Sequence, residues 1–225
     1  SVGFVDTVTA LGYCAFGYCT SLSSVTFPNS ITTMSSGVFE QCPLTEPLYN
    51  SHIFAFMPKT YTGTYVIPDG IETIAGYAFD DCRDLTSVTV PESVTTISGY
   101  AFSRCSSLES VNIPEGVTYI QGGAFNGCSS LTTITVPSMV TQIAANAFRN
   151  CTGLQEMRCL MLTPPPAEES SFENISTAIP VYVPAESIEL YRQAEHWSTF
   201  TNFHSLDECI VASGTCGAQG NNMVW

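Results

Sequence analysis

The sequence predicts a mainly β fold: a right-handed solenoid of short parallel strands, closed at its C-terminal end by a small α/β cap. Three observations carry that prediction. The chain repeats itself every 23 residues. Each repeat opens with alternating apolar positions and then a proline, the pattern of a short strand brought to a stop. The repeat text ends near residue 160, and a differently patterned segment follows.

The repeat is clearest in the middle of the chain. Leu85 to Cys105 reads LTSVTVPESVTTISGYAFSRC, Leu108 to Cys128 reads LESVNIPEGVTYIQGGAFNGC, and Leu131 to Cys151 reads LTTITVPSMVTQIAANAFRNC. Pro91, Pro114 and Pro137 fall at the same place, as do Phe102, Phe125 and Phe148, and Cys105, Cys128 and Cys151. An earlier copy runs from Leu22 to Cys42 with Pro28 and Phe39, and the same period reaches back to Phe16 and Cys19. A half-copy from Tyr65 to Cys82 carries Pro68 and Phe79. Pro28 and Pro68 are 40 residues apart, one full period and a shortened one of 17. A degenerate coil over 43–65 fills that interval, with its own short strand expected at Ile53 to Met57.

The physics of one repeat follows from its spacing. In Leu85-x-x-Val88-x-Val90 the two valines point one way on a strand, with Ser87 and Thr89 opposite. Pro91 has no amide donor and ends the pairing, and Glu92-Ser93 form a corner. Val94-x-x-Ile97 is too short for a helix and reads as a second brief extended segment. Ser98-Gly99 turn the chain again, and Ala101-Phe102-x-x-Cys105 returns apolar groups to the interior. A single coil buries too few of them to offset the entropy of ordering 23 residues. Coils that stack share hydrogen bonds and interior faces, which makes the array a solenoid with rungs about 4.8 Å apart.

The pattern L-x-x-V-x-V/I-P-x-x-V-x-x-I-x-x-x-A-F-x-x-C resembles the BspA-type, or Treponema-type, leucine-rich repeat over about residues 8–160. It lacks the L-x-x-L-x-L-x-x-N signature of horseshoe repeats, so their helix-lined convex side is not expected. The resemblance implies a protein found chiefly on the surfaces of host-associated bacteria and some protists. It implies association with adhesion to host matrix proteins or other cells.

The domain reading places the solenoid at 1–162 and a C-terminal cap at 163–208. Residues 209–225 are a tail or the start of a further module. Leu154 to Leu162 begins a last strand of the array, and Pro164-Pro165-Pro166 stop it. Val181 to Val183 reads as a short strand, and Ala185 to Glu195 as a helix led by Pro184 with Ile188 and Tyr191 on one face. Trp197, Phe200 and Phe203 supply the cover that a terminal coil needs. The N-terminus already reads as repeat, so either a leader has been removed or the chain is a piece of a longer protein.

Composition narrows the function classes. Twenty acids against six bases give a net charge of −14, which argues against a nucleic-acid partner and against a basic membrane-surface helix. Only 12% of residues are charged while 44% are hydrophobic, the balance of a folding chain. No apolar run has the length of a membrane span.

Reaction chemistry has little to stand on. Six of the ten cysteines (Cys19, Cys42, Cys82, Cys105, Cys128 and Cys151) share one repeat position. Neighbouring rungs hold them too far apart, and too parallel, for disulfides. They read as buried reduced thiols, with Cys14 and Cys159 unassigned and Cys209 and Cys216 open to a local bridge. No C-x-x-C pair, H-E-x-x-H or G-x-S-x-G accompanies His52, His196 and His204, so no metal, cofactor or catalytic residue is assigned. Asp69, Glu92 and Glu115 follow the repeat prolines and line one edge. Asn29 and Ser138 fill the same place elsewhere, which reads as a polar corner or a weak cation site.

The candidate binding surface is the outward row of the main sheet: Thr26, Ser87, Thr89, Ser110, Asn112, Thr133 and Thr135, continued by Glu156 and Arg158. A hydroxyl-rich sheet serves either as the soluble face of a rod or as a platform for a protein or glycan. The degenerate coil adds Phe54, Phe56, Met57, Tyr61 and Tyr65, and any of its aromatics left exposed would anchor a partner. The leading expectation is a non-catalytic surface or secreted recognition module that adheres to an extracellular protein or glycan. The alternatives are a passive spacer carrying another module and, behind it, a polysaccharide-acting enzyme.

Overall fold

The structure, a computed structural model, describes residues 1–207. The 23-residue period folds as a β-solenoid of about nine turns with one short helix near its C-terminal end. Two ribbons of short strands run along it. The main ribbon contains Val2–Gly3, Val25–Thr26, Gly63–Val66, Leu85–Thr89, Ser110–Val111, Thr133–Val136, Glu156–Cys159, Val181–Val183 and Phe203–Ser205. The second contains Ala10–Leu11, Thr33–Met34, Ile53–Phe56, Thr73–Ile74, Thr96–Ile97, Tyr119–Ile120 and Gln142–Ile143. Every pair within these ribbons is parallel, and most registers differ by the repeat length, as in Ser110 on Ser87 and Ile97 on Ile74.

The interior is a set of ladders. Stacked phenylalanines run from Phe54 through Phe79, Phe102, Phe125 and Phe148 to Phe172, with centroids 4.7 to 6.2 Å apart and planes within 17° of parallel. Beside them runs the cysteine ladder. Cys105, Cys128 and Cys151 each donate from Sγ to the carbonyl of the phenylalanine 26 residues earlier, at 3.1, 3.2 and 3.1 Å. The position selects a small buried side chain with a weak donor, and a thiol is both. Cys42 makes the same bond to the Phe16 carbonyl at 3.0 Å. Cys19 departs from the expectation: it lies in the first described coil and is exposed there. Cys159 sits on the inward side of its strand and is fully buried.

The turn between the second strand and the next main strand carries two left-handed residues in most coils. One is two positions before the phenylalanine, and the other directly precedes the cysteine position. Tyr100 and Arg104, Asn146 and Asn150, and Gly123 and Gly127 all have φ between 59° and 80°. Side chains on this edge stitch coil to coil. Asn174 donates to Asn150 at 2.7 Å, Asn150 donates to Asn126 at 3.3 Å, and Arg104 bonds the buried Asp80 carboxylate at 2.6 Å.

The degenerate coil contributes no strand to the main ribbon until its last residues, where Gly63–Val66 begins. Its strand, Ile53–Phe56, lies in the second ribbon beside Thr73–Ile74, and Leu48–Tyr49 folds back on it antiparallel. Asn50 pins this shortcut by donating to the Pro28 and Ile31 carbonyls and accepting from the His52 and Ile53 amides. With every residue from Ile53 to Met57 buried, Phe54, Phe56 and Met57 are core and not surface anchors; Tyr61 and Tyr65 are half-buried.

Glu156–Cys159 is not the last strand of the array. Val181–Val183 pairs with it in parallel, and Phe203–Ser205 pairs with Val181–Val183. The proline run ends the strand's extended segment, but the chain then makes another coil: Phe172 joins the phenylalanine stack, and the Phe148 amide donates to the Ser171 carbonyl. The expected helix over Ala185 to Glu195 is shorter, a 3-10 turn at Ala185–Ser187 followed by an α-helix at Ile188–Gln193. It presses Tyr191 against Trp197, and the Trp197 indole donates to the Pro165 carbonyl at 2.8 Å while covering Phe172. Cys209, Cys216 and the tail lie outside the described residues.

Candidate functional site

Strand alternation turns the hydroxyl row outward, and the stacking brings most of it together. Ser87, Thr89, Ser110, Asn112, Thr133 and Thr135 line one concavity of about 670 Å³, with Glu92, Glu115, Glu156 and Arg158 on its margins. Thr26 is exposed in the separate two-stranded sheet with Val2–Gly3, and the degenerate coil separates it from the rest.

The row is not uniform. Asn112 is committed to the fold: its side-chain amide accepts from the Val90 N–H at 2.8 Å and donates to the Val90 carbonyl at 2.7 Å, in place of a backbone pairing. Ser87 and Ser110 share a hydrogen bond at 3.2 Å. Thr89, Thr133 and Thr135 are exposed. Glu115 accepts from the amide and hydroxyl of Ser138, which explains the polar residues at that corner as caps from one coil to the next.

Towards the C-terminal end the same row changes chemistry. Register puts Tyr182 beside Arg158 and His204 beside Tyr182. The Arg158 guanidinium lies 5.8 Å from the Tyr182 ring centroid, and the Tyr182 and His204 rings are 5.5 Å apart. Glu156 holds Arg158 through contacts of 2.9 Å at both Nε and Nη2, and His204 contacts Asn202 Oδ1 at 2.8 Å. Neighbours thus restrain each planar group, so a partner would lose little side-chain entropy on meeting them. Sequence reasoning placed Tyr182 and His204 in the cap. The alternation Val181-Tyr182-Val183 was the available signal that one side chain there faces outward.

The buried thiols of Cys82, Cys105, Cys128, Cys151 and Cys159 are poor nucleophiles. Burial pushes Cys82 and Cys151 up to about 12, and raises Cys105, Cys128 and Cys159 well above the ordinary thiol value. His52 faces Glu72 at 3.6 Å and His196 faces Glu195 at 3.7 Å, both at the surface. Among the described residues no group of three or more His, Cys, Asp or Glu side chains is arranged to hold a metal ion. No helix among them is long and apolar enough to cross a membrane.

Comparison with solved structures finds the same architecture in bacterial proteins. One is a leucine rich cell surface protein from Faecalibacterium prausnitzii A2-165, with a TM-score of 0.62 and 24% identity over 91% of this chain and 63% of that one. The pneumococcal vaccine antigen PcpA is similar at a TM-score of 0.55 and 16% identity, over 90% of this chain and 65% of that one. A leucine-rich repeat protein from Eubacterium ventriosum ATCC 27560 is similar at 0.51 and 22%, over 77% and 64%. The chain spans less than two thirds of the length of each of these structures, and at such identities the likeness shows the fold alone. A comparison with curated proteins finds no match. The sequence pattern of the BspA type leucine rich repeat region, in six copies, matches residues 1–64 and 52–179. With that pattern over most of its length and the solenoid it builds, the chain belongs to the BspA-type leucine-rich repeat family.

Proposed function

We propose that the chain is a non-catalytic recognition module, displayed on a cell surface or secreted, that adheres to an extracellular protein or glycan of a host or neighbouring cell. The outward face of the main sheet is its contact surface. The observation that carries this reading is the gathering of Ser87, Thr89, Ser110, Thr133 and Thr135 in one concavity that leads into the restrained Arg158, Tyr182 and His204 row. The description of a similar structure as a cell surface protein supports the location. A passive spacer would need only a uniformly polar face, and the Arg158–Tyr182 pair on this one weighs against it.

The test is binding of the folded chain to a panel of extracellular-matrix proteins and glycans, against a variant carrying Thr89→Lys, Thr133→Lys and Thr135→Lys. These three threonines are exposed, whereas replacing Asn112 would remove a bond the sheet needs. Saturable binding that weakens about tenfold or more in the variant supports the sheet face. Equal binding by both proteins, or no binding by either, refutes it.

A further inference from the structure

One turn position, two residues before the repeat phenylalanine, has left-handed backbone in the coils of Phe16, Phe39, Phe79, Phe102, Phe125 and Phe148, with Cys14 in the first at φ 48°, but not in the coil of Phe172. Gly37, Gly123 and Asn146 occupy it in three coils, at φ of 72°, 65° and 61°. These residue types adopt that conformation at little cost. Tyr77 and Tyr100 occupy it in two others, at 65° and 60°, where a bulky side chain is strained. The turn itself does not require a tyrosine, because both rings are only half-buried and the coils with glycine or asparagine close equally well. Strain kept at a surface position points to a use for the side chain.

The two rings form a platform. They stack at 5.1 Å with planes 10° apart, and Tyr100 lies across Gly123, where a β-carbon would come within 2.3 Å of its ring. Glycine at 123 therefore leaves the room that Tyr100 occupies. On the other side the shortened coil lets two full coils meet: a β-carbon on Gly76 would lie 2.5 Å from the Ser36 hydroxyl. That neighbouring coil presents Glu40, whose carboxylate accepts from the Tyr18 hydroxyl at 3.0 Å. A β-carbon on Gly37 would lie 2.9 Å from the Cys14 sulfur and 3.2 Å from a Glu40 carboxylate oxygen, which brings the Tyr13–Cys14 turn, Ser36 and Glu40 together. Burial and then the Glu40 charge push the Tyr77 hydroxyl up to about 12. Tyr13 and Tyr18 are 74% and 63% exposed, among the most exposed large side chains described.

We propose that this tyrosine row, Tyr13, Tyr18, Tyr77 and Tyr100 with Glu40 and Ser36, is a binding site for a neutral carbohydrate. A pyranose ring has an apolar C–H face that matches an aromatic ring and a rim of hydroxyls that seeks acceptors and donors. The exposed Tyr13 and Tyr18 rings supply the face, the Tyr77–Tyr100 stack walls it, and Glu40 and Ser36 supply the rim contacts. The acidic chain, at −14, and the Glu40 carboxylate disfavour sulfated or uronic polymers. A polyproline segment also docks on aromatic rows, but its prolines carry no N–H and offer the Glu40 carboxylate no donor beyond the Tyr18 hydroxyl it already has. The site lies on the turn after the second strand and shares no residue with the sheet face, so the two readings stand or fall separately.

The experiment titrates residues 1–225 with hexaoses of glucose, mannose and N-acetylglucosamine and with a decameric polyproline peptide, by calorimetry and by NMR of the tyrosine rings. Tyr77→Asn and Tyr100→Asn each install the residue type that already serves at 146, so the turn is retained, and circular dichroism checks it. A hexaose should bind saturably, move tyrosine ring resonances in the wild-type chain, and bind about tenfold or more weakly in each variant. It should bind unchanged to the Thr89, Thr133 and Thr135 lysine variant. Failure of every hexaose to bind, binding that ignores both asparagine substitutions, ring resonances that stay still, or binding of the polyproline peptide alone overturns the proposal.

Discussion

Phe125 sits in the middle of the phenylalanine stack, fully buried, with Phe102 and Phe148 each 5.5 Å away and within 4° of parallel. Phe125→Ala deletes a ring that touches two coils at once, and neither neighbour can follow it inward without breaking its own hydrogen-bonded rung. The cost belongs near the top of the range for losing a buried aromatic, about 4–5 kcal/mol. Phe16 is the internal control. It has the same repeat position and stacks on Phe39 at 5.7 Å, but it is half-buried, with no earlier coil over it among the described residues. Phe16→Ala should cost only about 1–2 kcal/mol. Urea denaturation followed by far-UV circular dichroism measures both, provided the slopes agree with the wild-type chain. Equal costs at the two positions, or a Phe125→Ala cost under about 2 kcal/mol, would refute the account of the stack as a core whose value depends on neighbours on both sides.

Alkaline pH should loosen the fold. The Cys82, Cys105, Cys128, Cys151 and Cys159 thiols are held above their ordinary value near 9, so the folded chain keeps protons that the unfolded chain releases first. The contribution of Cys82 and Cys151 is complete below pH 9 and is lost between about 9 and 12, and the other three act in the same direction; a urea midpoint that stays level from pH 8 to 10.5 would contradict this. Trp197→Ala should remove the cover from Phe172 and the bond to the Pro165 carbonyl, at a cost of about 3–5 kcal/mol. It should also raise binding of a hydrophobic dye to the folded protein, and a loss below about 1.5 kcal/mol without dye binding would show that the end of the array needs no such cover.

The two candidate surfaces rest on the same economy of design. A solenoid coil needs its inward positions for packing and its corner positions for turning, which leaves the outward strand positions and the turn tips open to other demands. Thr89, Thr133 and Thr135 are open in that sense, while Asn112 and Glu115 are not: one replaces a backbone pairing and the other caps the next coil. Tyr77 and Tyr100 are turn tips filled at a conformational cost.

Much of this architecture is legible in the residues alone. The 23-residue period, the prolines that end each strand and the alternation of Val88, Thr89 and Val90 follow from local sequence, since each is set within one coil and then copied. So does the inward placement of Phe102 and Cys105. What the copies do not contain is how unlike coils meet. That Ile53–Phe56 joins the second ribbon, that Cys19 is exposed, and that Val181–Val183 and Phe203–Ser205 extend the main ribbon were decided by contacts between coils that no longer resemble one another. The alignment of Arg158, Tyr182 and His204, and the meeting of Ser36 with Gly76 across a shortened coil, are of the same kind. A period predicts a neighbour only while it holds; where it breaks, the neighbour is whichever coil can bury the exposed apolar edge and satisfy its unpaired amides, and only the folded chain selects it.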